Sequence, residues 1–418
     1  MGRELALTAS VVGGGPAGLM AAEVLANAGL AVTVYEHHRS VGRKFLLAGR
    51  GGLNITHSEP LDAMLGRYTA SSPSLAAALR GFTPQELRAW CAALGEATFV
   101  GSTGRVFPAS FRATPLLRAW LARLEDLNVS IEVGHRWRGW ASRADGGVDM
   151  TRLSFERNDG TIVEAVGDVT ILALGGASWP RVSSDCQWVD TLTQLGVQIS
   201  PLRPANCGVL VDWSTDFVRH FGGAPLKNIA LTVGTASVRG DAMITTAGLE
   251  GGPIYAQSGT IRDSIDRVGS CTLSLDLHPD LTVAQVEKRL VRARRKDSLT
   301  AVLHRIGLSK VSVALLRELT GNQVPRQPEA LAPLIKSLAI EVRALMPIER
   351  AISTAGGIAF SDLDDALMIK RLPGVFVAGE MVDWEAPTGG YLLQASFSTA
   401  VTAARGAVDF VRSATVST

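Results

Sequence analysis

Three glycines near the amino terminus have the spacing that binds the phosphates of a dinucleotide. Gly13, Gly15 and Gly18 follow an apolar run at residues 5–12 and precede a stretch of helical composition. In this setting the glycines allow a tight turn and let the backbone approach a pyrophosphate at the positive end of a helix. The same spacing also occurs in ordinary glycine-rich turns, so the features around it must carry the interpretation.

An acidic residue follows at the distance that a dinucleotide site requires. Glu36 ends the predicted strand at residues 31–35 and lies 18 positions after Gly18. A carboxylate at this place accepts hydrogen bonds from ribose hydroxyls and repels a 2′-phosphate. We therefore expect FAD or NAD at this site, and not NADP.

The far end of the chain favours FAD over NAD. Residues 374–380 predict a short apolar strand that ends at Gly379 and Glu380, which suits contact with a ribityl chain or a pyrophosphate. Gly390 then opens a predicted helix that begins at Tyr391. The positive end of such a helix can stabilise the negative charge that develops on the pyrimidine edge of a reduced flavin. NAD needs no such helix.

The elements that must position these residues follow from hydrophobic periodicity. Apolar or β-rich runs predict strands at residues 5–12, 31–35, 129–133, 148–156, 161–166, 169–174, 352–358 and 374–378. Helical patterns cover residues 19–28, 84–94, 114–127 and 391–411. Residues 40–57 are rich in Gly and Arg without a regular period and predict a long loop. Short strands between residues 197 and 280, then Leu- and Arg-rich helices at residues 282–327, indicate insertions.

Several segments together resemble one protein family. They are VGRKFLLAGRGGLNITH at residues 41–57, ALGGASWP at residues 173–180, GE at residues 379–380 and GYLLQ at residues 390–394. With the β-turn-α start, their order is similar to that of the HI0933-like flavoproteins over nearly the whole chain. The sequence departs from this family at Leu53, where many relatives have cysteine. The effect of that change on any thiol-dependent step is open.

The resemblance implies an α/β fold with a glutathione-reductase-type FAD-binding Rossmann domain, interrupted by a β-rich domain and a small helical domain. Residues 1–196 and 352–418 are predicted to form the discontinuous FAD-binding domain. Residues 197–280 and 335–351 are predicted to form the β-rich inserted domain, and residues 281–334 the helical one. A length of 418 residues agrees with two or three domains.

The motifs and the resemblance imply non-covalent FAD. The predicted FAD-binding residues are Gly13, Gly15, Pro16, Ala17, Gly18, Glu36, Arg43, Lys44, Gly49, Gly51, Asn54, Val133, Ala173, Gly175, Gly379, Glu380, Gly390, Tyr391 and Leu392. Because no second glycine-rich nucleotide motif is evident, NAD(P)H would act as a transient reductant.

The expected function is that of an FAD-dependent oxidoreductase that passes hydride through flavin N5 to or from a C=C, C=N or C–N bond of a small molecule. Candidates for proton exchange are His57, Asp383 and Tyr391. Each has a structural alternative, respectively loop capping, a turn or ribityl contact, and packing over the cofactor. Arg105 is a candidate for binding an anionic substrate, with a surface salt bridge as its alternative.

Two other functions stay open. Some relatives are similar to enzymes that reduce uracil in ribosomal RNA, and the run KRLVRARRK at residues 288–296 places Lys288, Arg292 and Arg295 on one helix face. Because 34 of the 41 basic residues are Arg, a solvated helix face explains this run more simply. In the other alternative FAD is structural and the chain is an assembly module.

Composition excludes further classes of function. The chain carries 41 basic and 39 acidic residues, a net charge of +2, so no strong overall field indicates a nucleic-acid or membrane partner. The four cysteines form no CxxC pair, which argues against a disulfide framework or a metal site. No export signal or membrane span is evident, so a cytoplasmic location is expected. Substrate, electron donor and oligomeric state are open.

Overall fold

The computed structural model describes residues 7–69, 72–143, 147–181, 185–292 and 297–416. These residues fall into two compact units. The first unit comprises Met1–Arg203 and Ser353–Thr418, and the second comprises Pro204–Ile352. No helix of the described residues is long and apolar enough to cross a membrane.

The strands and helices are numbered separately in chain order. The strands are β1 (Thr8–Val12), β2 (Ala31–Glu36), β3 (Thr56–His57), β4 (Thr98–Val100), β5 (Arg105–Pro108), β6 (Ser130–Val133), β7 (His135–Ser142), β8 (Val148–Arg157), β9 (Ile162–Val166), β10 (Val169–Leu172), β11 (Ile199–Ala205), β12 (Val209–Leu210), β13 (Pro225–Val233), β14 (Ala236–Ile244), β15 (Gly248–Gly251), β16 (Cys271–Asp276), β17 (Leu338–Val342), β18 (Ser353–Ile358) and β19 (Val375–Val377). The helices are α1 (Pro16–Asn27), α2 (Arg43–Ala48), α3 (Leu61–Leu65), α4 (Pro73–Gly81), α5 (Pro84–Ala93), α6 (Ala113–Asp126), α7 (Gln187–Gln194), α8 (Thr215–Phe221), α9 (Gly252–Ala256), α10 (Ser258–Val268), α11 (Val283–Val291), α12 (Leu299–Arg305), α13 (Lys310–Leu319), α14 (Pro328–Lys336) and α15 (Tyr391–Val416).

A parallel sheet with the order β19-β10-β1-β2-β6 organises the first unit. The strands β1, β10 and β19 are buried almost throughout, as expected for strands covered on both faces. The strand order reverses beside β1. In open α/β sheets, ligands bind outside the carboxyl ends of the strands at such a reversal. The predicted doubly wound sheet is confirmed, and the glycine-rich turn follows β1 at this edge.

Small residues let the flanking helices lie close to this sheet and to each other. In α1, a Cβ atom on Gly18 would lie 1.8 Å from the carbonyl oxygen of Gly13, so only glycine fits the approach of helix to turn. In α15, fully buried alanines that include Ala400, Ala403 and Ala407 belong to the same hydrophobic core as α1. The long carboxy-terminal helix therefore packs on the opening β-turn-α unit of the chain.

Two small antiparallel sheets extend the first unit. Strands β7, β8 and β9 form a sheet in the connection between β6 and β10, and Tyr35 of β2 stacks on Phe155 of β8 with ring centroids 4.4 Å apart. Strands β3, β5 and β4 form the other sheet, with β5 in the middle. The strands β11 and β18 pair with each other at the positions where the chain leaves the first unit and returns to it.

The prediction of a continuous loop over residues 40–57 is wrong. This segment contains α2, a 3₁₀ turn at Gly49–Gly51 and strand β3. The sequence RKFLLA of α2 is rich in residues that favour helix, and Phe45 is buried against Trp120 of α6. Because glycine-rich segments lie on both sides of this short run, it shows no clear helical period in the sequence.

The second unit contains a six-stranded antiparallel sheet with the order β12-β15-β14-β13-β16-β17. Helices α8 to α14 belong to the same unit. A hydrophobic core of this unit joins strand residues such as Leu231 and Leu275 with helix residues such as Leu290, Leu316 and Ile335. The division of the whole chain into three domains stays a prediction.

We expect Gly18→Ala to lower the free energy of unfolding by about 2 kcal/mol, because the new methyl group overlaps the backbone of Gly13. Chemical denaturation would measure the change. The control is Gly81→Ala at the end of α4, where a Cβ atom meets nothing within 4 Å. Equal stability of the two variants would contradict the close approach at Gly18.

Candidate active site

The start of α1 has the form of an anion-binding turn. Gly13 has φ +109°, and its N–H group donates a 2.8 Å hydrogen bond to the Tyr35 carbonyl. No side chain caps the amino end of α1, so no side-chain oxygen satisfies its first N–H groups. A Cβ atom on Gly15 would also meet nothing within 4 Å. This surface can accept the pyrophosphate of a dinucleotide without displacing any protein atom.

The two ends of the chain meet at this turn. A Cβ atom on Gly379 would lie 2.8 Å from the Cβ of Ala17, and one on Gly13 would lie 2.3 Å from the carbonyl oxygen of Ala173. The turns after β1, β10 and β19 therefore touch at the same edge of the sheet. Pro16 occupies the first turn of α1, and Gly175 lies in the turn after β10.

Glu36 ends β2 with its carboxylate already oriented by the backbone. It accepts hydrogen bonds from the N–H groups of Gly14 (2.9 Å) and His38 (2.8 Å). Burial acts to raise the pKa of Glu36, but hydrogen bonds from His37, His38 and Gly14 outweigh it, so the pKa lies below its ordinary value. Val133 pairs with Glu36 across β6 and β2. Glu36 is therefore ionised and positioned beside the turn.

Lys44 and Glu380 form an ion pair between α2 and the turn after β19. The Lys44 Nζ donates to a Glu380 carboxylate oxygen (2.6 Å) and to the Ser178 hydroxyl (2.7 Å). The second Glu380 oxygen accepts the N–H of Thr354 (2.9 Å), whose hydroxyl accepts the N–H of Ala177 (2.8 Å). This network links α2, the loop after β10 and β18.

Two buried polar atoms near α2 have no hydrogen-bond partner among the described residues. They are Nε of Arg43 and Oδ1 of Asn54. An unsatisfied buried polar atom is costly, which points to a partner that a bound molecule supplies. Between these residues, Gly49 packs on Ala113, while a Cβ atom on Gly51 would meet nothing within 4 Å. The Arg43 Nε donor, the Asn54 Oδ1 acceptor and the open backbone at Gly51 suit an extended polar cofactor.

The amino end of α15 lies directly on strand β3. Gly390 has φ +98°, and a Cβ atom there would lie 2.4 Å from the backbone of Thr56. The Thr56 hydroxyl donates a 2.7 Å hydrogen bond to Gln394 one turn into the helix. Leu392 lies half-buried in the same first turn. Side-chain contacts therefore fix where this helix begins.

Both ring nitrogens of His57 are hydrogen-bonded to the backbone. Its Nδ1 accepts the N–H of Glu59 (3.1 Å), so the proton sits on Nε2, which donates to the Thr103 carbonyl (3.0 Å). The ring stacks on Tyr391 with centroids 5.3 Å apart. Because both ring nitrogens have backbone partners, proton exchange at His57 requires one of these bonds to break.

Tyr391 belongs to a hydrogen-bonded chain that reaches the surface. Its hydroxyl donates to Glu59 (2.6 Å), which also accepts two hydrogen bonds from Arg67 (3.1 and 2.8 Å). Arg67 lowers the pKa of Glu59 against the opposing effect of burial, and Tyr391 lowers it further. Burial and the Glu59 anion raise the pKa of Tyr391. At neutral pH the proton therefore sits on Tyr391.

Asp383 is the third predicted proton-exchange residue. Its carboxylate accepts a 2.6 Å hydrogen bond from the Ser200 hydroxyl, and its N–H donates to the Ile358 carbonyl. These partners lie on β11 and β18, whereas His57 and Tyr391 contact each other. The structure thus brings two of the three candidates together. Leu53, where many relatives have cysteine, is fully buried in the core.

Sequence reasoning missed Glu59, Arg67, Ser178 and Thr354. Ser178 lies within the segment at residues 173–180, whereas Glu59, Arg67 and Thr354 carry no motif. Apart from the pair of Glu59 and Arg67, their partners are distant in the sequence, such as Ala177 for Thr354. Among the residues without a motif, only the position of Glu59 two residues after His57 offered a signal.

The chain was compared with known proteins. Residues 7–406 match the family described as HI0933-like protein Rossmann domain. The 3-dehydro-bile acid delta(4,6)-reductase of Clostridium scindens is 26% identical, with 96% of this chain and 98% of the relative covered. The ribosomal RNA dihydrouridine synthase of Escherichia coli is 23% identical, over 94% of this chain and 96% of the relative.

A solved structure shares the fold. The 3-ketosteroid delta1-dehydrogenase of Sterolibacterium denitrificans has a TM-score of 0.53 at 12% identity and covers 96% of this chain and 99% of its own. Fold, family and relatives define an FAD-dependent oxidoreductase with a Rossmann-type domain. The chain belongs to the HI0933-like family, as its sequence predicted.

We expect Glu36→Ala to weaken FAD binding about tenfold to a hundredfold, because a charge-assisted hydrogen bond to ribose is lost. Glu36→Gln keeps one acceptor oxygen, so its loss of FAD affinity should be smaller than that of Glu36→Ala. Equilibrium titration of the apoprotein with FAD measures both. The control is Glu125→Ala, an exposed residue of α6. Unchanged affinity in Glu36→Ala would mean that the adenosine half lies elsewhere.

The Glu59 cluster predicts a pH-dependent contribution to stability. Since folding lowers the pKa of Glu59, its stabilisation is fully present above the unfolded value of about 4.3 and is lost as pH falls through the lower folded value. We expect Glu59→Gln to lower the free energy of unfolding by about 1 kcal/mol at pH 7. Chemical denaturation between pH 7 and pH 3 should show that the stability difference between the variant and the parent chain shrinks in acid.

The matched control for this experiment is Glu132→Gln, an exposed carboxyl on β6. The free energy of unfolding of this control should stay close to that of the parent chain across the same pH range. A Glu59→Gln penalty that is constant from pH 7 to pH 3 would show that the carboxylate charge of Glu59 does not stabilise the fold.

Proposed function

We propose that the first unit binds one FAD without a covalent bond and transfers a hydride to or from a C=C, C=N or C–N bond of a small molecule. The observation that carries this proposal is the convergence of the turn at Gly13 with the segment at Gly379, next to an uncapped helix start. Bound FAD supplies the hydride chemistry at N5.

Each part of the site has a proposed role toward this cofactor. The start of α1 at Gly15 binds the pyrophosphate, and Glu36 binds the adenosine ribose. The unsatisfied atoms of Arg43 and Asn54 bind polar groups of the flavin half. The first N–H groups of α15, after Gly390, stabilise negative charge on the flavin pyrimidine edge. The other predicted FAD-binding residues stay proposed contacts of the same cofactor.

We propose reduction of a C=C bond as the reaction, because the more similar relative is named a bile acid reductase. Such a reduction adds a hydride to one carbon and a proton to the other. Tyr391 holds a proton at neutral pH, and Glu59 and the half-exposed Arg67 connect its hydroxyl to solvent. Tyr391 therefore donates the proton, and Glu59 guides its replacement from water.

Anaerobic absorbance separates the two halves of this reaction. In the FAD-loaded protein, NADH or NADPH should bleach the flavin, and an added enone should restore its colour. Tyr391→Phe should leave bleaching intact and slow the recovery by a factor of about 100 or more, since it removes only the proton donor. The control is Tyr255→Phe in the second unit.

Each other outcome changes one part of the proposal. Failure to bind FAD excludes the proposed cofactor site. Bleaching by a small amine and by neither nicotinamide indicates an oxidase that acts on C–N bonds. Equal recovery rates in Tyr391→Phe and the parent chain exclude Tyr391 as the proton donor.

Reduction of uracil in ribosomal RNA is the second candidate, favoured by the relative from Escherichia coli. Lys288 and Arg292 are exposed at the end of α11, four positions apart, while Arg295 lies outside the described residues. The same experiment tests this candidate when a uridine-containing RNA fragment replaces the enone. Recovery with the RNA alone would favour it over the small-molecule reaction.

A further inference from the structure

The sheet of β3, β5 and β4 presents an exposed face of aromatic side chains. Phe99 pairs with Phe107 across β4 and β5, and directly opposite residues project from the same face of a sheet. Phe111 completes the group, with ring centroids 4.8 Å from Phe107 and 6.1 Å from Phe99. Phe99 and Phe111 are 42% and 43% exposed. We call Phe99, Phe107 and Phe111 the aromatic face.

Phe111 adopts a backbone conformation that a bulky residue rarely takes. Its φ is +61°, in the left-handed region. Such strained residues concentrate at ligand-binding sites, where surrounding contacts impose the conformation. The Phe111 ring rests on Gly52, where a Cβ atom would lie 2.3 Å from it. The aromatic face is therefore in direct contact with the segment between Gly51 and Asn54 of the candidate active site.

An unpaired cation adjoins the aromatic face. Arg105 lies two positions before Phe107 on β5, so both side chains project from the same face. Arg105 is exposed, and its guanidinium has no hydrogen-bond or ion-pair partner in the part of the chain that the structure describes. Its Nε lies 4.0 Å from where a Cβ atom of Gly389 would be. The cation thus borders the start of α15.

The neighbours of Arg105 on the other side are also aromatic. Arg105 pairs with His57 across β5 and β3, and the His57 ring stacks on Tyr391. One sheet surface therefore carries a guanidinium with aromatic rings on both sides. A large exposed aromatic surface marks a binding site, and an unpaired guanidinium binds a carboxylate with two parallel hydrogen bonds.

We propose that this surface binds the substrate, and that the substrate is an elongated apolar molecule with one carboxylate. Arg105 binds the carboxylate, and the aromatic face binds the apolar body. This inference rests on the proposed function, because it assigns the substrate class of the same site. A single cation among phenylalanines suits one negative charge, whereas a nucleic-acid backbone requires several cations along its path.

Calorimetric titration of the full chain with FAD added tests the proposal. The probes share a ten-carbon chain and differ in charge, namely decanoate, decan-1-ol and decyltrimethylammonium. Decanoate should bind most tightly. Arg105→Gln should weaken decanoate about tenfold or more and leave decan-1-ol unchanged, because only the charge interaction is lost. Phe99→Ser should weaken decanoate and decan-1-ol by similar factors.

Two matched variants serve as controls for these substitutions. Arg118→Gln removes another exposed arginine, on α6, and Ile162→Ser removes another exposed apolar side chain, on β9. Neither should change the affinity for decanoate. Because the titration needs no hydride transfer, decanoate binding in a protein without flavin turnover would overturn the proposed function and leave this inference in place.

Three results would overturn the inference itself. The first is equal binding of decanoate and decyltrimethylammonium, and the second is an Arg105→Gln loss that is the same for decanoate and decan-1-ol. The third is binding of a uridine oligonucleotide that depends on Arg105 in a protein that does not bind decanoate. That last result would make the surface a nucleic-acid site.

Discussion

The organisation of the first unit depends on backbone approaches that leave no room for a side chain. Gly18 lies against the carbonyl of Gly13, Gly379 against Ala17, and Gly390 against the backbone of Thr56. The first contact closes the turn onto α1, and the second brings the start and the end of the sequence to one edge of the parallel sheet. The third presses the amino end of α15 onto β3. Every proposed role toward FAD presupposes these contacts, since they decide which turns share a surface.

Charge in the candidate active site is distributed in pairs rather than as isolated ions. Glu380 pairs with Lys44 and Glu59 pairs with Arg67, and the Arg67 pairing lowers the pKa of Glu59. Glu36 is stabilised instead by N–H groups of its own loop. By contrast, the buried Nε of Arg43 has no hydrogen-bond partner among the described residues, which points to a bound molecule.

Local patterns in the sequence predicted the elements that such patterns control. The unit β1-α1-β2 and the beginning of α15 follow from apolar runs bounded by glycine, and both were found. Helix α2 was missed, because six residues between glycine-rich turns are too few for a clear period. The contacts of Tyr391 with Glu59 and of Glu380 with Lys44 join residues more than three hundred positions apart, so only the folded chain reveals them.

The pairing of β11 with β18 gives the chain a modular character. The chain leaves the first unit on β11 and returns to it on β18, and these two strands are neighbours. The parallel sheet is therefore built from residues before and after the second unit. The described part of Pro204–Ile352 contributes no strand to the parallel sheet, so the segments on either side of it encode the whole strand order around β1.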